Sequence, residues 1–106
     1  MRALVLHGID DLRLEDMPVP EPGPGEVLIQ VVACGVCGSD IPRIFTKGAH
    51  RYPLICGHEF SGLVTECGEG VDDLEKGAHV TAFPLLWCGK CPSCERGRYA
   101  QCLDYD

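Results

Sequence analysis

The sequence predicts a mainly β domain: a small, partly closed β-barrel with one short helix and a four-cysteine lobe. Three observations carry that expectation. Short apolar, β-branched segments recur along the chain between turns supplied by 13 Gly and 8 Pro. A single stretch, around residues 41–46, has the start and stop signals of a helix. Near the C-terminus, Cys88, Cys91, Cys94 and Cys102 follow a C-x2-C-x2-C-x7-C spacing that reads as a ligand set rather than as core packing. A chain of 106 residues, 45% hydrophobic, is sized for one domain with a core of its own.

In chain order, Ala3-Leu4-Val5-Leu6 is a short apolar strand, turned at Ile9-Asp10-Asp11 into Leu12-Arg13-Leu14-Glu15, whose alternation marks a half-exposed strand. Pro18, Pro20, Pro22 and Pro24 cannot donate to a ladder, so this stretch reads as an extended strap over the surface. Val27 to Ala33 is nearly continuous in apolar and β-branched residues, as a centrally buried strand would be. Ser39-Asp40 can cap a helix from Ile41 to Thr46, with Pro42 in its first turn and Lys47-Gly48 as the stop. Tyr52 to Cys56 leads into Gly57-His58-Glu59, and Phe60 to Cys67 is a strand in which Gly62 permits a bulge or a close backbone approach. Gly68-Glu69-Gly70 turns the chain, and Ala78 to Phe83 is the last strand before the lobe.

Composition narrows the function. A formal net charge of −7 argues against nucleic acid, whose phosphates need clustered Lys and Arg. No apolar run approaches the roughly 20 residues that span a bilayer, and Met1 to His7 is too short for a secretory hydrophobic region. Eight cysteines without a visible signal peptide point to a reducing, cytoplasmic setting, where such a pattern binds metal or does chemistry.

Four thiolates in one loop match a closed tetrahedral zinc site, with Zn–S bonds of about 2.3 Å. Disulfides between neighbours two residues apart would strain the loop. The bacterial iron–sulfur run is tighter at its end and is followed by proline, whereas Leu103 follows Cys102 here. Cys34, Cys56 and Cys67 sit in or beside apolar strands and read as small core residues. A second constellation joins Cys37 and His58, each beside a glycine, with Glu59: a thiol, an imidazole and a carboxylate suited to Zn²⁺ with a position left open for substrate.

Three elements together resemble the N-terminal, GroES-like part of the zinc-dependent medium-chain alcohol/polyol dehydrogenases. They are Gly35-Val36-Cys37-Gly38-Ser39-Asp40, the G-H-E-x-x-G-x-V signature from Gly57 to Val64, and the lobe from Cys88 to Cys102. The resemblance covers the whole chain. It implies catalytic-zinc ligands at Cys37 and His58, with Glu59 as an adjacent carboxylate that steers the ion or exchanges with water. It also implies Ser39 as the group that holds the substrate alcohol and passes on its proton, and Cys88, Cys91, Cys94 and Cys102 as the structural site. Where many members continue the proton relay with a histidine, this chain has Pro42; His50 or water would take over.

The resemblance further implies NAD or NADP as hydride acceptor and a homodimer or homotetramer. The nucleotide-binding domain, with its glycine-rich strand-to-helix turn, does not appear among these residues. Residues 1–106 are therefore expected to be part of a longer enzyme, with the structural lobe at about 84–106, and to be inactive alone. Finer details around Cys37 to Phe45, Gly48 to His50 and Pro84 to Leu86 are similar to the polyol-phosphate branch of the family. Sorbitol- and threonine-type dehydrogenases share most of the frame, and a non-catalytic zinc-stabilised module is the reading from another class. Arg43, Lys47, His50 and Arg51 form a basic cluster in an acidic chain: either a solvated helix face or, through Arg43 or Lys47, a contact to substrate phosphate.

Overall fold

The computed structural model describes residues 1–105; Asp106, the last residue of the expected lobe, lies outside them. Two three-stranded antiparallel sheets make up the framework. In the first, β1 (Arg2–Gly8) is central, with β2 (Asp11–Asp16) on one side and the two-residue β4 (Leu54–Ile55) on the other. The second orders β3 (Val27–Gly35), β5 (Glu59–Cys67) and β6 (His79–Thr81), with β5 in the middle. One helix, α1 (Asp40–Phe45), connects the sheets; a short α2 (Pro92–Glu95) and a 3-10 turn at Tyr99–Gln101 belong to the lobe. Among the described residues, no helix is long and apolar enough to cross a membrane.

Within β1 the consecutive Val5 and Leu6 are almost fully buried and, with Val64 and Ile44, form the small core. Burying such a side chain contributes about 1.5–3 kcal/mol. The alternation expected in β2 holds at Leu12 and Arg13 and fails at its end. Leu14 is exposed opposite an equally exposed Leu4, while Glu15 turns inward to bond His7 Nε2 at 2.8 Å. The strap stays irregular between β2 and β3 and is anchored at its end, where Gly25 N donates to the Glu69 carbonyl at 2.8 Å.

Two sequence expectations are corrected. β3 is an edge strand, paired only with β5, and Val31 and Val32 are exposed, the latter at 71%. Its continuous apolar character is not used up inside residues 1–105. Cys34, Cys56 and Cys67 are likewise not core residues: Cys34 is exposed and the other two are half-buried. Val31, Cys34 and Cys56 share a cause. Between the sheets lies an apolar cavity of about 770 Å³, walled by Ala3, Val19, Ile29, Cys34 and Cys56 among others, so these side chains face open space. The radius of gyration, 15.7 Å, exceeds the roughly 13 Å of a close-packed domain of this length. The barrel is half-closed.

Gly62 serves both purposes read from its sequence context. The β3–β5 register skips Val32 between Val31↔Gly62 and Ala33↔Ser61, which is a bulge, and a Cβ at Gly62 would lie 2.3 Å from the Gln30 carbonyl oxygen. Gly62→Ala should therefore push the central ladder apart. The expected loss is about 1–3 kcal/mol, read as a lower urea midpoint with an unchanged slope.

Candidate metal centres

The β3–β5 register builds the first site. Gly35 pairs with Glu59, so the chain leaving β3 and the chain entering β5 stand side by side. Cys37 follows that exit and His58 precedes that entrance, and the ligand atoms of Cys37, His58 and Glu59 all lie within 4.8 Å of one another. Gly57 makes the approach possible: its φ of 120° is a conformation side chains rarely adopt, and a Cβ there would stand 2.7 Å from Cys34 Sγ. Cys37 and His58 are half-buried and Glu59 is exposed. A soft thiolate, an imidazole and a carboxylate within that span fit Zn²⁺.

Asp40 is the functional residue that sequence reasoning missed, having been read only as a possible cap. The helix begins at Asp40 itself rather than at Ile41, and neither Ser39 nor Asp40 caps it through a side chain. Instead the Asp40 carboxylate, 4% exposed, turns back into the site. Its Oδ2 accepts from Cys37 N at 3.0 Å, and its Oδ1 accepts from Arg43 Nη1 at 3.3 Å and faces His58 Nδ1 at 3.5 Å. A buried carboxylate needs such partners. With Nδ1 turned to the carboxylate, Nε2 is the ring nitrogen left for a metal, an arrangement that orients the ligand and raises its basicity. The signal available in the sequence was a short acidic residue one helical turn after a candidate ligand.

Ser39, Arg43, His50 and His58 share one open cleft of about 820 Å³, lined as well by Phe83, Pro84, Leu85 and Tyr105. Cys56 also lines it. Burial, and then the nearby Asp40 charge, push its thiol up. At the end of α1 the Thr46 and Lys47 amides both close on the Pro42 carbonyl, and Gly48 follows at φ 79°.

The second centre is the lobe. The four Sγ atoms of Cys88, Cys91, Cys94 and Cys102 lie within 4.8 Å of one another, with Cys94 and Cys102 buried, and all eight cysteines of the chain are free thiols. Cys91 precedes α2, Pro92 opens that helix, and the Gly97 amide closes on the Cys94 carbonyl. Trp87 stacks on Tyr99 at 4.5 Å and 25°, pinning the two chain segments that carry Cys88 and Cys102. The backbone amides of Cys88 and Asp104 point at Cys102 Sγ at 3.3 and 3.4 Å. Such amides favour thiolate. Those of Leu103 and Cys94 hold Cys91 down to about 6, whereas burial and the hydrogen bond to Cys91 push Cys94 up to about 12. Four thiols this close cannot all ionise without a cation among them, and a divalent ion of thiolate preference satisfies the donor set.

Comparison with known proteins follows the same lines. The alcohol dehydrogenase GroES-like domain matches residues 23–106. The chain belongs to that family. Galactitol 1-phosphate 5-dehydrogenase of Escherichia coli K12 is 48% identical over 107 residues, covering 100% of this chain and 31% of that protein. The crystal structure of galactitol-1-phosphate dehydrogenase from Escherichia coli superimposes with a TM-score of 0.88 at 44% identity, covering 100% of this chain and 31% of the other. A cobalt- and zinc-bound thermostable alcohol dehydrogenase from Pyrobaculum aerophilum does so with a TM-score of 0.86 at 38% identity, over 97% of this chain and 32% of the other. Sorbitol dehydrogenases and L-threonine 3-dehydrogenases match as well, one of each at 38% and 42% identity. The chain thus spans about a third of the length of these relatives. The fold is that of a GroES-like domain of zinc-dependent medium-chain dehydrogenases, as the sequence motifs implied.

Two predictions arise here. Zinc must displace the lobe's remaining thiol protons, so affinity should rise with pH. Below about 6, where Cys91 also carries a proton, one more must leave, and the slope of log Kd against pH should steepen. Competition with a chromophoric chelator measures this. Asp40→Asn keeps the shape but removes the charge facing His58; zinc affinity at the Cys37–His58 site should fall about 10- to 100-fold with the lobe's unchanged.

Proposed function

We propose that these residues are the metal-binding part of the catalytic domain of a zinc-dependent NAD(P) oxidoreductase. It oxidises a secondary alcohol of a polyol or polyol phosphate to a ketone. The observation carrying this reading is the convergence of Cys37, His58 and Glu59 beside a cleft that Ser39 also lines. A closed structural site has no use for a cleft; a catalytic one keeps a position open onto it.

In this reading Cys37 and His58 hold zinc, and Glu59 steers the ion or exchanges with water. Bound zinc supplies Lewis acidity, lowering the pKa of an alcohol or water beside it. The remaining work belongs to the chain. Asp40 orients His58 and fixes the Cys37 backbone. Ser39 takes the proton of the substrate hydroxyl and hands it onward. Pro42, where relatives often have a histidine, cannot relay it, and His50 on the same cleft offers a route to solvent. The alcohol loses that proton and a hydride, the hydride passing to NAD(P)⁺ held by a doubly wound domain outside these residues. Cys88, Cys91, Cys94 and Cys102 hold the structural zinc.

The half-closed barrel and the match to about a third of each relative support placing this chain within a longer enzyme that is active only when whole. Its free thiols fit a reducing cytoplasm, and its acidic charge argues against nucleic acid as a partner. A homodimer or homotetramer is the expected assembly.

The deciding experiment uses the full-length enzyme. It should carry two zinc ions per chain and reduce NAD⁺ or NADP⁺ with a polyol. Ser39→Ala should keep both ions and lose about 100-fold in kcat, the lower range of proton-transfer catalysis. One zinc ion and no reduced nucleotide with any alcohol would leave only a zinc-stabilised interaction module.

A further inference from the structure

Free and phosphorylated polyols both present a secondary alcohol to such a site, and one side chain in the cleft bears on the choice between them. Four basic residues, Arg43, Lys47, His50 and Arg51, fall close together in a chain of net charge −7. The fold divides them. Arg43 and His50 line the cleft with Ser39 and His58, whereas Lys47 and Arg51 are exposed and do not line it.

Arg43 is held as an anchor would be. Its side chain is 34% exposed, and Nη1 donates to Oδ1 of the buried Asp40 at 3.3 Å. That contact fixes the direction of the guanidinium. Among the described residues Nε and Nη2 bond no protein acceptor, so a fork of donors remains. A guanidinium stays charged at any working pH and matches the oxygens of a phosphate in a way a lone ammonium does not. Half-burial in a cleft also weakens screening by salt relative to a solvent-facing lysine.

We propose that Arg43 is a specificity-determining residue that receives the phosphate of a phosphorylated polyol, while the carbon to be oxidised lies toward Ser39 and His58 on the same cleft. This deepens the dehydrogenase reading and rests on it. It also resolves the basic cluster: Arg43 acts, and Lys47 belongs to a solvated helix end.

The test measures KM for a polyol phosphate and for the matching free polyol in the full-length enzyme. It is paired with calorimetric titration of inorganic phosphate. Arg43→Ala should raise the ratio of the two KM values roughly 10- to 100-fold, the contribution of one charge-assisted hydrogen bond. It should weaken phosphate binding to a similar degree. Arg43→Lys should restore part of both, and Lys47→Ala should leave the ratio at the wild-type value.

Equal effects of Arg43→Ala on both substrates, or a shift with Lys47→Ala alone, would overturn the assignment. An enzyme that oxidises only free polyols and binds no phosphate removes this inference while the dehydrogenase reading stands. An enzyme that reduces no nucleotide yet binds phosphate through Arg43 removes the dehydrogenase reading and leaves the anion site.

Discussion

The register of one antiparallel ladder governs the molecule. Because Gly35 pairs with Glu59, the end of β3 and the start of β5 are neighbours, and residues far apart in sequence are delivered to the same corner. Slipping that register by one residue would invert every side chain of β5 and carry His58 away from Cys37. Gly62 fixes the register midway along the ladder: its missing side chain admits the Gln30 carbonyl, and the bulge at Val32 absorbs the extra residue. A backbone constraint with no chemistry of its own thus sets the distance between two candidate ligands.

Asp40 converts that proximity into a usable geometry. A carboxylate this buried is costly unless donors face it, and it finds the Cys37 amide and the Arg43 guanidinium, with the His58 ring beside it. The same contacts satisfy Asp40, orient the imidazole and aim the arginine into the cleft. Packing, metal geometry and substrate recognition therefore meet at one side chain, which touches neither metal nor substrate in the proposed reaction.

The lobe follows a different logic. It has little apolar core beyond Cys94, Cys102 and the Trp87–Tyr99 stack, so its shape comes from tight turns and from sulfur atoms brought together. Backbone amides aimed at Cys91 and Cys102 favour thiolate there, while burial keeps Cys94 protonated in the absence of a cation. A small segment of this kind gains its folding free energy from its ion.

The sequence alone determined what depends on local spacing. The four-cysteine run, the glycine-flanked Cys37 and His58, the short helix stopped before Gly48 and the dual role of Gly62 were all legible, because each is a matter of ligand chemistry or backbone geometry over a few residues. It also implied the GroES-like family through the order of its motifs. Tertiary structure decided everything that depends on what lies opposite. Val27 to Ala33 reads as a buried strand, yet becomes an edge because nothing in residues 1–105 covers it; Cys34 and Cys56 line open space for the same reason. At the end of β2, Leu14 is left exposed while Glu15 is half-buried by its bond to His7. Asp40 became the hub of the site through burial, and Arg43 was separated from Lys47 by which of them faces the cleft. Pattern names the groups that can do chemistry; only packing settles which of them meet.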